Sequence, residues 1–290
     1  MTHVAWRIHL ALVTVQLLFG SWPVFGKVAL RAIPGPALIG VRTSLAALVF
    51  FLLRPETKAS LDRRTHAGLA LAGLLGVTIN QLLFIEGLSR SGAVNSTVLA
   101  TTIPVFTLLF SLVLGTERST ARKGVGMGLA FLGALVVTGV DRLTWGDELV
   151  TGNLLLLANS AAYALYLILA RRLAARVAPL EMVPWVFFYG ALFTLPVAIP
   201  SMLASSLPEP TALLTLNLVY IVLGATVGTY WLNAVALRDA PPSLVAVYIY
   251  LQPVVAALLA LPVLGEVPSW RVLVGGLAIF AGVTLSTRRS

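Results

Sequence analysis

The chain has 290 residues, of which 58% are hydrophobic and 11% charged, with a formal net charge of +9 and a mean hydropathy of +0.94. So little charge in so apolar a chain excludes an ordinary soluble domain and points to the lipid bilayer as its solvent. The absence of cysteine excludes a disulfide framework and any thiolate metal site. The basic residues, scattered through short loops, form no stripe or arm that would hold nucleic acid.

Arg7 followed by IHLALVTVQLLFG has the look of a secretory leader, but the apolar run continues to Val28. At ~1.5 Å per residue that is long enough to span a bilayer, and it reads as a retained first helix. Apolar segments bounded by charge, glycine and proline follow, giving ten spans in all: 8–28, 36–53, 67–87, 91–114, 121–140, 151–170, 180–203, 213–237, 241–264 and 270–287. The loops between them leave no room for a soluble catalytic domain. The stretch GSWPVFGKV from Gly20 resembles a phosphate loop, yet it has one residue too many between its glycines and no Ser or Thr after Lys27. Basic residues favour the side shared by both termini fourteen to five, which predicts cytoplasmic N- and C-termini.

A repeat runs through the chain. At an offset of 149, Val98, Pro104, Glu117, Arg122, Gly126 and Gly133 fall on Val247, Pro253, Glu266, Arg271, Gly275 and Gly282. Offsets of 143 and 144 relate Pro36 to Pro179, and Phe19, Trp22 and Lys27 to Tyr163, Tyr166 and Arg171. The expectation is an all-α integral membrane domain of two five-helix repeats, residues 1–143 and 144–290. An odd number of spans inverts the second copy relative to the first. Pro104 and Pro253 fall near the middle of the fourth span of each half, where proline leaves carbonyls without helical partners, so both are candidate hinges beside a solute site.

FGSWPVFGK in the first span, PALIGVRTSLAAL in the second and the twice-used Pro-to-Glu segment ending in TER and GEV resemble the EamA-type branch of the drug/metabolite transporter superfamily. The resemblance covers nearly the whole chain. It implies a carrier of the bacterial cytoplasmic (inner) membrane that moves small metabolites, often amino acids or toxic analogues outward, through a cavity between the halves. Phe19-Gly20 stands where that family usually has Trp-Gly, and Glu86 where a small residue is commoner.

Helical spacing gathers the candidate lining of such a cavity. Asn159, Tyr163 and Tyr166 share a face, as do Gln81 and Phe84, Tyr230 and Asn233, and Tyr248 and Gln252; Trp22 and Thr101 complete the set. Aromatic rings with a few amides suit a small amphipathic solute. Arg42 lies inside the second span, where a cation costs ~2.5–3.5 kcal/mol and needs a polar partner or interior. Glu86 is its expected partner, the two forming an outer gate, with Glu86 the candidate for proton coupling and Arg42 placed to meet a substrate carboxylate. Gly126 and Gly133, with Gly275 and Gly282, permit close backbone packing in a monomer or a homodimer. An intramembrane lipid-modifying enzyme would need a reactive cluster, and a non-transporting receptor would carry no flux. No nucleophile–base pair or metal-ligand spacing appears, and no cofactor is expected.

Overall fold

The computed structural model describes residues 6–54, 61–115, 120–138, 147–205, 209, 211–240, 245 and 248–287, and every regular element among them is helical. In chain order they are α1 (Trp6–Leu30), α2 (Gly35–Leu52), α3 (Arg63–Arg90), α4 (Ala93–Ala100), α5 (Ile103–Val113), α6 (Ala121–Thr138), α7 (Glu148–Ala174), α8 (Pro179–Leu203), α9 (Ala212–Asp239), α10 (Leu251–Leu264) and α11 (Trp270–Thr287). Among the described residues seven helices are long and apolar enough to cross a membrane, counting α4 and α5 together; Gly124–Val137, Leu251–Leu264 and Trp270–Gly282 are shorter apolar helices. The expected boundary between the halves, at 143 and 144, lies outside the described residues, as does Glu117.

Large apolar side chains cover much of the surface, and a set of polar ones is buried among the apolar core. Leu203 is 82% exposed and Leu258 72%, while Gln16, Arg42, Asn80, Asn153 and Asn159 are buried. Such a surface is stable only where lipid replaces water.

Residues 149 apart recur at matching structural positions. Asp62 caps α3 by accepting from Thr65 N–H, and Thr211 caps α9 by accepting from Leu214 N–H. Both helices loosen into a π turn, Leu74–Ile79 in α3 and Tyr220–Gly228 in α9, and both end 149 residues apart, at Arg90 and Asp239. Glycine packing relates α6 to α11 in the same reciprocal way. A Cβ on Gly133 would lie 2.6 Å from Gly275 O, and one on Gly282 would lie 2.5 Å from Gly126 O, so the two helices cross antiparallel with backbones in contact. α2 and α8 also run antiparallel: a side chain on Gly40 would meet Ala198, while Phe50 and Phe187 pack at 5.0 Å near the opposite ends.

The fourth span breaks where proline predicts. Between α4 and α5, Thr101 and Thr102 turn the chain, their N–H groups reaching Val98 O and Leu99 O at 3.1 and 3.0 Å. Their hydroxyls donate to the same two carbonyls, and Ser160 Oγ of α7 donates to Leu99 O at 3.2 Å. Pro104 thus stands in the first turn of α5, where its missing N–H has no helical acceptor to lose. Pro253 occupies the matching place in α10, preceded by a tight helical turn at Tyr248–Tyr250.

Candidate functional site

A small cavity of about 70 Å³ opens among α1, α2, α3, α4, α5, α7, α9 and α10. It has room for a few waters at the ~10–15 Å³ that each needs, far less than the ~300–1,000 Å³ that swallows a drug-sized ligand. Seven of the expected residues line it: Trp22, Arg42, Gln81, Asn159, Tyr163, Tyr230 and Gln252. Phe19 and Phe84 join them, as do Pro23, Asn80, Ser96, Thr97, Ala100 and Ile103, which helical-face reasoning missed.

Arg42 is 2% exposed. Its expected pairing with Glu86 is not formed. Glu86 instead takes Arg90, one turn along the same helix, at 2.7 Å, and the i,i+4 spacing of the two was the available sign. Arg42 reaches across to α9, where Nη2 donates to Ala225 O at 3.0 Å and Nε to Thr226 Oγ1. The π turn of α9 makes this acceptor available. Thr226 Oγ1 donates back to Ile221 O at 2.7 Å, and Ala225 O also takes Thr229 Oγ1 at 3.0 Å. The guanidinium carbon lies 3.9 Å from the centre of the Trp22 ring, which stacks in turn on Phe84 at 6.0 Å. Hydrogen bonds from a charged donor are worth ~1.5–3 kcal/mol each and a desolvated cation–π contact ~2. Together they exceed the ~2.5–3.5 kcal/mol cost of the buried cation, with no carboxylate paired to it among the described residues. Nη1 carries no hydrogen bond among the described residues.

The opposite wall is polar through α3 and α7. Asn159 Nδ2 donates to Asn80 O at 2.7 Å, and Asn80 Nδ2 to Asn159 O at 3.4 Å. Tyr230 donates its hydroxyl to Gly76 O, inside the first π turn, at 2.8 Å and accepts from Gln81 Nε2 at 3.4 Å. Gln81 and Tyr230 are themselves 149 positions apart, so equivalent residues of the repeat meet at the cavity floor. Gln81 Oε1 is buried with no hydrogen-bond partner. Phe19 sets its ring edge-on to Tyr163 and Tyr230 at 6.4 and 5.9 Å. Gln252 Nε2 donates to Gln16 Oε1 at 2.6 Å, joining α10 to α1.

Four expected lining residues stand elsewhere. Tyr166 lies behind Tyr163 and Tyr230, its ring against Gly76. Asn233 supports the wall from outside, donating Nδ2 to Tyr163 OH at 3.0 Å. Tyr248 bonds His9 at one end of α1. Thr101 spends its hydroxyl on Val98 O and borders a separate apolar groove of about 470 Å³ between α4, α10 and α11, which Pro253 also lines.

Comparison with known proteins follows the same outline. The model of the EamA-like transporter family matches residues 6–139 and again 150–288. An uncharacterized transporter of Archaeoglobus fulgidus is 28% identical over 98% of each chain. A "probable terminal-alkyne amino-acid exporter" of Streptantibioticus cattleyicolor is 32% identical over 77% of this chain and 73% of its own. An uncharacterized inner membrane transporter of Escherichia coli is 26% identical over 95% and 89%. One solved crystal structure superposes with a TM-score of 0.68 over 97% of this chain and 96% of its own at 20% identity, a likeness of fold alone.

Proposed function

The chain belongs to the EamA-like transporter family, and from that membership and the chemistry of the cavity we propose that it is a secondary carrier exporting small zwitterions, amino acids or their analogues, by alternating access. The observation that carries the substrate class is the pairing of unused groups. Among the described residues Arg42 brings a buried positive charge to the cavity with no carboxylate against it, and Gln81 Oε1 is a buried acceptor with nothing to accept. A solute carboxylate satisfies the first and an ammonium the second, while Phe19, Trp22 and Tyr163 offer apolar area and ring faces to the rest. The exporter named among the relatives supports the same class and direction.

The carrier works from ten spans, with α4 and α5 forming one and α6, α10 and α11 three more. The halves are inverted repeats, a reading supported by the antiparallel crossing of α6 with α11 and of α2 with α8. Both termini lie in the cytoplasm of a bacterial cell, and the half-helices that begin near Pro104 and Pro253 are the elements that tilt. The tight cavity is then a contracted state that widens around its solute.

Counterflow of labelled leucine in reconstituted vesicles tests this directly. Wild-type protein is expected to exchange leucine faster than leucine amide or 4-methylpentanoate. Equal rates for the three would remove the zwitterion assignment, and no flux of any small solute would remove the carrier.

A further inference from the structure

One helical turn beyond the cavity, α1 carries a second charged group. Lys27 lies four residues past Pro23, about 6 Å along the axis, and opens into a polar vestibule of about 510 Å³ whose wall includes Arg31, Gly35, Ser89 and Glu266. Lys27 Nζ pairs with Glu266 Oε1 at 3.1 Å, both side chains about a quarter exposed (26% and 24%). The second carboxylate oxygen accepts from Ala93 N–H, at the start of α4, at 2.8 Å. A single carboxylate from the loop after α10 therefore holds the end of α1 and the start of α4, joining first-half to second-half elements. Just inward, a Cβ on Gly26 would touch Leu88 and Trp22 at 3.3 Å, so the chain is closely packed between vestibule and cavity.

We propose that Lys27 and Glu266 form a second solute site, a latch at the vestibule that a zwitterion opens by substituting for each charge in turn. This rests on the reading of the central cavity as a zwitterion site. Charge balance favours such a solute. When the pair parts, a zwitterion gives its carboxylate to Lys27 and its ammonium to Glu266, so neither protein charge is left unpaired. A cation can take only the place of Lys27 and an anion only that of Glu266, and each leaves the protein charge it displaces without a partner. The latch therefore discriminates by charge pattern before or after the cavity does, and independently of side-chain size. On the topology proposed above it faces the outside and is the last station of an exported solute.

The natural chain has no cysteine, so Ser96→Cys in the cavity wall gives a single reporter of access. Labelling by a membrane-impermeant maleimide added outside intact cells should be slow with the latch in place. Saturating external leucine should speed it several-fold, whereas leucine amide and 4-methylpentanoate should not. Glu266→Gln keeps an acceptor for Ala93 N–H but removes the charge; it should raise the labelling rate about tenfold and abolish its dependence on solute. Thr97→Cys, also in the wall, serves as the reporter if Ser96→Cys does not reach the membrane. Equal acceleration by all three solutes, or an unchanged rate in Glu266→Gln, would overturn the proposal. Failure of purified wild-type protein to bind leucine would overturn the cavity reading instead, and the Glu266→Gln arm, which needs no solute, would still decide whether the latch exists.

Discussion

The π turns of α3 and α9 occupy equivalent places in the chain and serve different ends. In α3 the loosened turn offers Gly76 O to the hydroxyl of Tyr230, and its surroundings are closed by packing: Tyr166 lies on Gly76, and Thr78 donates to Gly190 O at 2.9 Å. In α9 the same distortion carries Ala225 O and Thr226 Oγ1, which accept from the Arg42 guanidinium. By repeat position the counterpart of Arg42 is Trp185, which packs with Phe51, His66 and Arg54 away from the cavity. One backbone device, duplicated, has become a neutral brace in one half and a seat for charge in the other. The side chains around the shared distortion differ between the two places.

That contrast can be broken or sharpened by substitution. Arg42→Gln should have the largest effect, weakening leucine binding by about tenfold to a hundredfold, the equivalent of the ~1.5–3 kcal/mol of a charged hydrogen bond. Trp185→Phe, at the counterpart position, should leave affinity within about twofold; equilibrium binding to purified protein reads both. Next come the glycines. A Cβ on Gly76 would lie 2.2 Å from the Tyr166 ring, whereas one on Gly224 meets only side-chain atoms of Tyr220 and Leu18 at 3.2 Å or more. Gly76→Ala should therefore cost about 1–3 kcal/mol from overpacking, and Gly224→Ala should be near neutral or slightly stabilising, as thermal unfolding in detergent would report. Tyr230→Phe removes the donor to Gly76 O and should cost about 1 kcal/mol of stability in the same measurement.

The smallest effect separates the two caps. Thr65 holds the Asp62 carboxyl below its usual value through hydrogen bonds to it. A depressed value means that the cap is fully formed above the ordinary carboxylate range and lost as pH falls through the folded value. Thr211, at the equivalent position, does not titrate. Amide-exchange protection at Thr65 should decline in acid while that at Leu214 holds; parallel behaviour at both would show that the cap charge does not matter.

Hydrophobic runs and charge bias made the helices legible, and the spacing of Pro104 and Pro253 located the break in the fourth span, because proline acts on its own turn whatever surrounds it. Facial spacing found Trp22, Gln81, Tyr163 and Tyr230, since one helix face holds its residues together. It could not tell which helix lies opposite, and so it paired Arg42 with the nearest carboxylate, although Arg90 stood one turn from Glu86 on the same face. It also counted Tyr166 and Asn233, which stand one layer behind the wall, and Tyr248, which lies at one end of α1 against His9. The π turns were invisible for a different reason: an i→i+5 register shift leaves no change in apolar periodicity over so short a stretch. Only the small residues Gly76 and Ala225 at equivalent positions hinted at them.

The decisive measurement is the affinity of leucine relative to leucine amide, taken on wild-type protein and on Arg42→Gln. If the cation seated on the second π turn binds the solute carboxylate, wild type should prefer leucine by about tenfold or more and the variant should bind both alike. A preference that survives in Arg42→Gln, or that is missing from wild type, would contradict the account.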